Sequence, residues 1–232
     1  MDNWKNKVAI VTGAGQGIGA QIMVKNARNW GKVEGQLVPC KCDISNDEDL
    51  ENAFGGIVAV YGGVDLLINN AATGKEGLIS TSDIQNMIDV VNVNVYGLIA
   101  CTRLAVDSML KKGVKGHIIN INSICGHYMP KFAKPKINMY IASKKAMTAF
   151  NEILHKEFQQ AKWNINVTSI SPGIVKTDLF KNSSVKFIND EFFERNPHMT
   201  VQDVSNTVMI TLTSPPSVHI KEIIFHALNE IY

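Results

Sequence analysis

A tyrosine and a lysine four residues apart, Tyr140 and Lys144, form the pair in this sequence that is best suited to proton transfer. They lie in a helical pattern over residues 137–161, so their side chains share one helix face, a turn apart. A phenol with its ordinary pKa of about 10 is a poor base near neutral pH. An adjacent ammonium group stabilises the phenolate, so the pair predicts a general acid or base for a hydroxyl or carbonyl oxygen.

A serine at the end of a predicted strand, Ser123, is a second candidate, because ligands of parallel sheets lie beyond the carboxyl ends of the strands. Its hydroxyl is able to steady a substrate oxygen. Taken singly, Tyr-x-x-x-Lys pairs occur on exposed helices, and a strand-end serine is ordinarily a turn residue. The three residues fall on consecutive elements whose ends meet at one sheet edge, and this joint placement favours a catalytic role.

A glycine-rich turn near the start of the chain separates a strand-like run from a helical pattern. Residues 8–19 are Val-Ala-Ile-Val-Thr-Gly-Ala-Gly-Gln-Gly-Ile-Gly. Glycines let the backbone approach a pyrophosphate, and the free N–H groups at a helix N-terminus favour its charge. Such turns also occur for purely structural reasons, but the strand before and the helix after are the context that phosphate binding requires. The turn therefore predicts a nucleotide phosphate site.

Short β runs alternate with longer helical patterns along the chain. Strands are predicted over residues 7–11, 36–42, 64–68, 117–121, 164–170 and 219–223, and helices over 18–28, 47–61, 81–112 and 137–161. The third helical pattern is too long for one typical helix, so we expect a break or a bend near residues 92–96. The alternation predicts an α/β fold, a doubly wound, Rossmann-like parallel sheet in a single domain over residues 1–232.

Six motifs in this order resemble those of the short-chain dehydrogenase/reductase family and cover nearly the whole chain. They are Thr12-Gly13-x-x-x-Gly17-x-Gly19, Asp43-Ile44, Asn69-Asn70-Ala71 with Ala72 in place of a glycine, Asn94, Ser123 with Tyr140-x-x-x-Lys144, and Ser171-Pro172-Gly173-Ile174-Val175-Lys176-Thr177. The opening residues from Trp4 and the run from His117 to Ser123 resemble the farnesol dehydrogenase-like branch. The resemblance implies an NAD(P)-dependent alcohol dehydrogenase or carbonyl reductase.

The resemblance also implies a role for each matching residue. Tyr140 is the general acid or base, Ser123 steadies the substrate oxygen, and Lys144 also holds the nicotinamide ribose. Asn94 anchors a water that links Lys144 to solvent, and Asp43 lies against the adenine. The implied cofactor-binding residues are Gly13, Gln16, Gly17, Ile18, Gly19, Arg28, Asp43, Ile44, Asn70, Ala71, Ala72, Tyr140, Lys144, Pro172, Gly173, Val175 and Thr177.

The chain is too short between Gly19 and Gln36 for the family's usual second strand and the helix that follows it. Sixteen residues intervene, and one helix uses most of them, while a parallel crossover needs about a dozen. Either residues 32–34 form a stub of edge strand, or the first strand leads through one helix directly to residues 36–42. The end of the missing strand normally selects NAD or NADP. Arg28 is the candidate contact for a 2′-phosphate and Glu34 for a ribose hydroxyl, and the branch favours NADP.

Composition and charge argue against nucleic acid, a membrane and a metal ion as partners of this chain. The net charge is +2 without a large basic cluster, so no nucleic-acid partner is predicted. No apolar run reaches the 18 or so residues of a membrane span, and we expect a cytoplasmic protein. Cys40 and Cys42 lack a second ligand pair and the histidines lack ligand spacing, so no metal site is predicted.

The phenylalanine-rich segment 178–200 is expected to cover a pocket, which favours a small apolar alcohol or carbonyl substrate. The apolar stripes of residues 81–112 and 137–161 imply, by resemblance, a homodimer or homotetramer, although packing within one chain explains them as well. A second hypothesis follows from the shortened segment. On this hypothesis, the chain is a catalytically silent dinucleotide-binding or oligomer-forming protein.

Overall fold

The computed structural model describes residues 4–29, 35–131, 136–179 and 185–230, without the side chains of residues 24–29. Its centre is a five-stranded parallel sheet in which the strands follow chain order from one edge to the other. The strands are β1 (Ala9–Val11), β2 (Leu66–Asn69), β3 (Gly116–Ile121), β4 (Ile165–Pro172) and β5 (Glu222–Phe225). The helices are α1 (Gly17–Asn29), α2 (Asp47–Tyr61), α3 (Ile84–Val91), α4 (Leu98–Lys112), α5 (Asn138–Ala161), α6 (Asp190–Arg195) and α7 (Val201–Leu212).

Helices cover both faces of the sheet, which is why β2 and β3 are buried along their whole length. On one face α1 and α7 pack against side chains such as Leu66 and Ile119. On the other face α2, α4 and α5 pack against side chains such as Leu67 and Ile118. The predicted single-domain, doubly wound Rossmann-like fold is therefore confirmed.

Helix α2 has the bounds that its sequence predicts because both ends carry strong signals. The side chain of Asn46 accepts a hydrogen bond from the amide of Asp49 and caps the N-terminus. Gly62 ends the helix in the left-handed conformation with a φ of 75°.

The long helical pattern contains the expected interruption. Helices α3 and α4 are joined by a π-helical turn, Asn92–Gly97, so the helix continues through a local change of hydrogen bonding instead of breaking. Gly97, the last residue of this turn, packs against the loop that precedes α2. A Cβ atom at Gly97 would lie 2.8 Å from the carbonyl oxygen of Ile44, so a larger residue would displace that loop.

The continuous stretch Ile84–Lys112 has the length and apolar composition of a membrane-spanning helix. Helix α4 also packs against β2, β3 and α2, and it buries side chains such as Cys101, Ala105 and Met109. A helix buried in the core of a protein can have the same length and apolar composition without crossing a membrane. The absence of a membrane span therefore stays a prediction.

The strand predicted over residues 36–42 is wrong. Residues 35–41 are exposed and have no regular secondary structure, and they form no ladder within the described sheet, where β1 pairs with β2. In the family's usual order another strand would lie between β1 and this run, and the chain is too short to supply it. The described residues contain no such strand, so the run has no neighbouring strand with which to pair. The alternative stub at residues 32–34 lies outside the described residues.

Candidate active site

A cavity of about 290 Å³ lies at the carboxyl edge of the sheet, where the predicted motifs converge. The glycine turn lines this cavity, and so do Ser123, Tyr140 and Lys144. The segment after β4 and three apolar side chains beyond it, Leu179, Ile188 and Phe192, also line it. The predicted site is thus one continuous space.

The glycine turn keeps its shape through the Asn70-Ala71 segment. The hydroxyl of Thr12 accepts hydrogen bonds from the amides of Asn70 (3.0 Å) and Ala71 (3.1 Å). The Asn70 side chain donates to the carbonyls of Thr12 and Gly13. A Cβ atom at Gly13 would lie 2.8 Å from the Cα of Ala71, and one at Gly19 would lie 2.5 Å from Asn70 Nδ2. These two glycines are therefore required by the close approach of the two loops.

The side of the glycine turn that faces the cavity leaves room for a ligand. Gly13, Gln16, Gly17 and Ile18 line it as predicted, together with Gly15, where a Cβ atom would meet nothing within 4 Å. Asn70, Ala71 and Ala72 also line the cavity, whereas Gly19 does not. The role of Gly19 is to let Asn70 reach the turn.

Ser123, Tyr140 and Lys144 come together as the sequence predicts. Ser123 caps a short 3₁₀ turn, its hydroxyl accepting the amide of Cys125, and it forms a side-chain hydrogen bond with Tyr140. The ammonium of Lys144 lies 5.7 Å from the centroid of the Tyr140 ring and donates to the carbonyl of Ile121 at 2.8 Å. All three residues are buried.

Burial dominates the electrostatics of this group. Burial, and then the neighbouring Cys125 thiol, raise the pKa of Tyr140, and the hydrogen bond with Ser123 opposes that rise. Burial lowers the pKa of Lys144 to about 8. The expectation that the ammonium, together with a bound nicotinamide, favours the phenolate of Tyr140 stays a prediction.

Asn94 lies in the π-helical turn and does not line the cavity. Its amide group clamps Thr73, accepting the backbone N–H at 2.8 Å and donating to the carbonyl at 2.9 Å. It also donates to the hydroxyl of Ser143, the residue before Lys144. Asn94 thereby joins the loop after β2 to the helix that carries the catalytic candidates, and its water-anchoring role stays a prediction.

The segment after β4 forms the predicted wall of the cavity. Pro172, Gly173, Val175 and Thr177 all line it. The backbone there is held from outside, because the amide of Met199 donates to Ile174 and the amide of Lys176 donates to Met199.

The predicted adenosine contacts are not gathered into the cavity. The carboxylate of Asp43 is exposed and accepts the amide and hydroxyl of Ser45, which lowers its pKa. Ile44 packs against the core beside Gly97. The side chain of Arg28 and the whole of Glu34 lie outside the described residues.

Several residues that line the cavity are not part of the sequence motifs. They include Val93, Asn122, Ile124, Cys125 and Ile137. Each is adjacent to a motif residue or within three positions of one, so proximity to Asn94, Ser123 or Tyr140 is the signal that would have found them.

The fold and this cavity define a class: a Rossmann-like protein with a glycine-rich turn and a tyrosine, a lysine and a serine that line one cavity. The family profile described as "short chain dehydrogenase" matches residues 23–186. That range includes Ser123, Tyr140 and Lys144 and begins after the glycine turn. The chain belongs to the short-chain dehydrogenase family, whose members are NAD(P)-dependent oxidoreductases.

Curated relatives match over almost the whole chain. A farnesol dehydrogenase of Aedes aegypti is 36% identical over 252 residues, which cover 99% of each protein. Dehydrogenase/reductase SDR family member 11 of Mus musculus is 35% identical, over 96% of this chain and 95% of the relative. The alignment with the Aedes aegypti protein is longer than the 232 residues of this chain, in keeping with the shortened segment. These relatives confirm the farnesol dehydrogenase-like branch.

Solved structures share the fold at lower identity. The Thermoplasma acidophilum aldohexose dehydrogenase has a TM-score of 0.80 at 20% identity, covering 97% of this chain and 94% of its own. The 3-ketoacyl-(acyl-carrier-protein) reductase from Brucella melitensis, complexed with NADH, has a TM-score of 0.77 at 22% identity, covering 95% and 97%.

Proposed function

We propose that this chain is an alcohol dehydrogenase or carbonyl reductase that uses NAD(P) and acts on small apolar substrates. The observation that carries the proposal is the convergence of Tyr140, Ser123 and Lys144 at one wall of a cavity that begins at the glycine turn. The farnesol dehydrogenase relative supports an apolar alcohol as substrate.

The residues of the cavity fit the nicotinamide half of the nucleotide. The turn offers open backbone at Gly15 for phosphate, Lys144 is placed for the ribose, and residues 172–177 supply a wall for the nicotinamide. The nucleotide, when bound, supplies or accepts the hydride. Solved relatives carry NADH or NADP. The preference for NADP rests on the resemblance to the farnesol dehydrogenase-like branch, with Arg28 as the candidate contact for a 2′-phosphate, and stays a prediction.

Tyr140 exchanges the proton at the substrate oxygen in this proposal. In reduction its phenol donates the proton to the oxygen that was the carbonyl, and in oxidation its phenolate takes the proton from the alcohol. Ser123 donates a hydrogen bond to the same oxygen and fixes its distance from Tyr140. Lys144, charged below a pH of about 8, stabilises the phenolate that forms, and Asn94 fixes the start of α5 through Ser143.

The apolar side chains that line the cavity support an apolar substrate. They are Ile124, Ile137, Ile174, Leu179, Ile188 and Phe192. Among the described residues that line the cavity, Lys144 alone carries a formal charge, and it belongs to the proton-transfer group. A substrate with a carboxylate or phosphate would find no second cation there, so an uncharged alcohol is favoured.

The test is to incubate the purified protein with NADP⁺ or NAD⁺ and a series of alcohols that includes farnesol, and to follow the absorbance of the reduced nucleotide. Tyr140→Phe should lower the rate by about 100-fold or more, because general acid–base catalysis contributes at least that much. Tyr61→Phe, at an exposed position on α2, is the matched control. No turnover with either nucleotide, and equal behaviour of Tyr140→Phe and the parent, would reject the proposal.

A second candidate function, a catalytically silent nucleotide-binding protein, is favoured by the positions of Asp43 and Ile44 away from the cavity. Calorimetric titration with NADH separates the two. Micromolar binding without turnover of any alcohol in the series supports the silent protein.

We also propose a homodimer or homotetramer that forms through α3, α4 and α5. Ile84, Ile88, Ile99 and Ile153 on these helices are exposed in the single chain, and a two-fold axis would bury the same patch on both copies. Light scattering of the parent and of Ile153→Lys measures the assembly. A monomeric parent protein would contradict the proposal.

The cytoplasmic location expected from the sequence stays a prediction.

A further inference from the structure

A glutamate that follows β5, Glu230, has a buried carboxylate held by two backbone N–H groups. The residue is 5% exposed. Its Oε1 accepts the amide of Ile174 at 2.9 Å, and its Oε2 accepts the amide of Ala227 at 3.0 Å. None of the ion pairs within the described part of the chain includes Glu230. Burying a carboxylate is costly without a counter-ion, so these two charge-assisted hydrogen bonds are what make its burial tolerable.

The carboxylate lies just beyond the last pair between β4 and β5. That pair in register is Pro172 with Phe225, and the amide of Gly173 still donates to the carbonyl of Phe225 at 2.8 Å. The amide of the next residue, Ile174, lies past the end of β4 and donates to the carboxylate of Glu230. Because Gly173 and Ile174 line the cavity, Glu230 supports that wall from its outer side.

The same contact explains the glycine in the wall. A Cβ atom at Gly173 would lie 2.5 Å from Oε1 of Glu230, so any side chain there would force the carboxylate away from the Ile174 amide. The backbone of the wall and the buried carboxylate are therefore fitted to each other.

We propose that Glu230 is a positioning residue, which holds the backbone of Gly173 and Ile174 where the nicotinamide ring is to pack. The inference rests on the proposed function, since it assigns the wall to the nicotinamide. Its mechanical part, that Glu230 fixes the wall, is independent of any ligand.

The variant Glu230→Gln tests this, because its amide keeps one acceptor and turns an N–H donor toward one of the two backbone donors. We expect NADH to bind about tenfold more weakly, equivalent to about 1.4 kcal/mol, in a fluorescence titration. Amide hydrogen exchange should quicken in residues 171–177 and 225–230 and stay unchanged in β2 and β3. Glu51→Gln, on the exposed face of α2, is the control. If Glu230→Gln folds poorly, Glu230→Asp keeps the charge, shortens its reach, and is measured in the same way.

Two results would overturn the inference. One is NADH affinity within about twofold of the parent value. The other is faster exchange throughout the sheet, which would make Glu230 a general stabilising residue. A parent protein that binds no nucleotide defeats the proposed function instead, and the exchange of the Ile174 amide still decides whether Glu230 fixes the wall.

Discussion

Lys144 is the bulkiest of the nearly inaccessible side chains in the described part of the chain, with 2% of its surface exposed. Its recorded hydrogen bond goes to a neutral carbonyl, that of Ile121. A buried ammonium beside a neutral phenol is unfavourable in a protein without a negative partner nearby. Burial of the Lys144 ammonium therefore lowers the free energy of unfolding of the protein. An oxygen anion or a phenolate that forms beside Lys144 would offset this destabilisation.

This cost predicts a pH-dependent difference between the parent and Lys144→Met. The pKa of Lys144 is about 8 when folded and 10.5 for the ordinary group, so the unfolded chain binds more protons between these values. The parent should therefore gain stability relative to the variant as the pH rises through this window, by about 1.4 kcal/mol for each pH unit. Urea unfolding of both proteins from about pH 7 to pH 10 measures the difference. Lys156→Met, exposed on α5, is the control, and parallel pH curves for the parent and Lys144→Met would contradict the expectation.

At the scale of residues, the sequence predicts the catalytic candidates well because helix spacing and strand ends determine their placement. Tyr140, Lys144 and Ser123 are examples. It misses Glu230 because the partners of that carboxylate include an amide 56 residues earlier in the chain, with no periodic signature between them. It also does not reveal that burial raises the pKa of Tyr140, since burial is a property of the folded protein.

At the scale of elements, the π-helical turn and the loop before α2 are fitted closely to each other. The backbone of Gly97 is helical, with φ −59° and ψ −38°, so alanine is allowed there by its dihedral angles. What excludes a side chain is Ile44, through both its side chain and its carbonyl oxygen. The sequence predicts the interruption of the helix from its length, but not the contact between Gly97 and Ile44, because Ile44 lies in a distant loop.

Two glycine-to-alanine changes should therefore have opposite effects on stability. Gly97→Ala should destabilise the protein by about 1–3 kcal/mol, because the added methyl group overpacks against Ile44. Gly56→Ala lies within α2, where a Cβ atom would meet nothing within 4 Å, and should stabilise it by about 0.5–1 kcal/mol. Denaturant unfolding measures both free energies. The same sign for both variants would show that the contact with Ile44 is not what requires the glycine.

The segment before α6, which supplies part of the apolar wall of the cavity, is held by a carboxylate on another loop. Glu76 accepts the amide of Lys186 at 2.8 Å and pairs with the ammonium of Lys136 at 3.2 Å, and these hydrogen bonds lower its pKa. It thereby ties the segment that carries Ile188 and Phe192 to the body of the protein.

We expect Glu76→Gln to raise the KM for an apolar alcohol several-fold, roughly the effect of one charge-assisted hydrogen bond, and to leave nucleotide affinity unchanged. Steady-state kinetics with farnesol and a nucleotide titration measure the two quantities. Glu191→Gln, whose exposed carboxylate pairs with Arg195 on α6, serves as the matched variant. A loss of nucleotide affinity instead of substrate affinity would place the effect of Glu76 elsewhere.

At the scale of the whole molecule, the alternation of elements predicts the parallel sheet and the edge where ligands bind. It fails at residues 36–42, because an apolar run forms a strand only when a neighbour is available to hydrogen-bond with it. That neighbour belongs to the segment that this chain lacks. In the proposed function, the nicotinamide half of the site is built from strands that are all present, and the adenosine half would depend on a strand that the described residues lack.

This asymmetry predicts that the adenosine contributes little to binding. Reduced nicotinamide mononucleotide should bind within about tenfold of NADH, a difference of about 1.4 kcal/mol, since Asp43 and Ile44 are engaged elsewhere. Parallel fluorescence titrations of the two nucleotides measure the ratio. An affinity for NADH that is greater by several orders of magnitude would show that other residues complete the adenosine site.

The strands of this sheet lie side by side in the order in which a ribosome makes them. Each new strand can therefore join a finished neighbour at a single growing edge, as domains that form during synthesis tend to do from their N-terminal side. Glu230 is translated after all five strands, so its contact with the cavity wall at Ile174 forms only once every strand has been made. A product that ends directly after β5 would contain every strand but lack this support, and should bind the nucleotide more weakly.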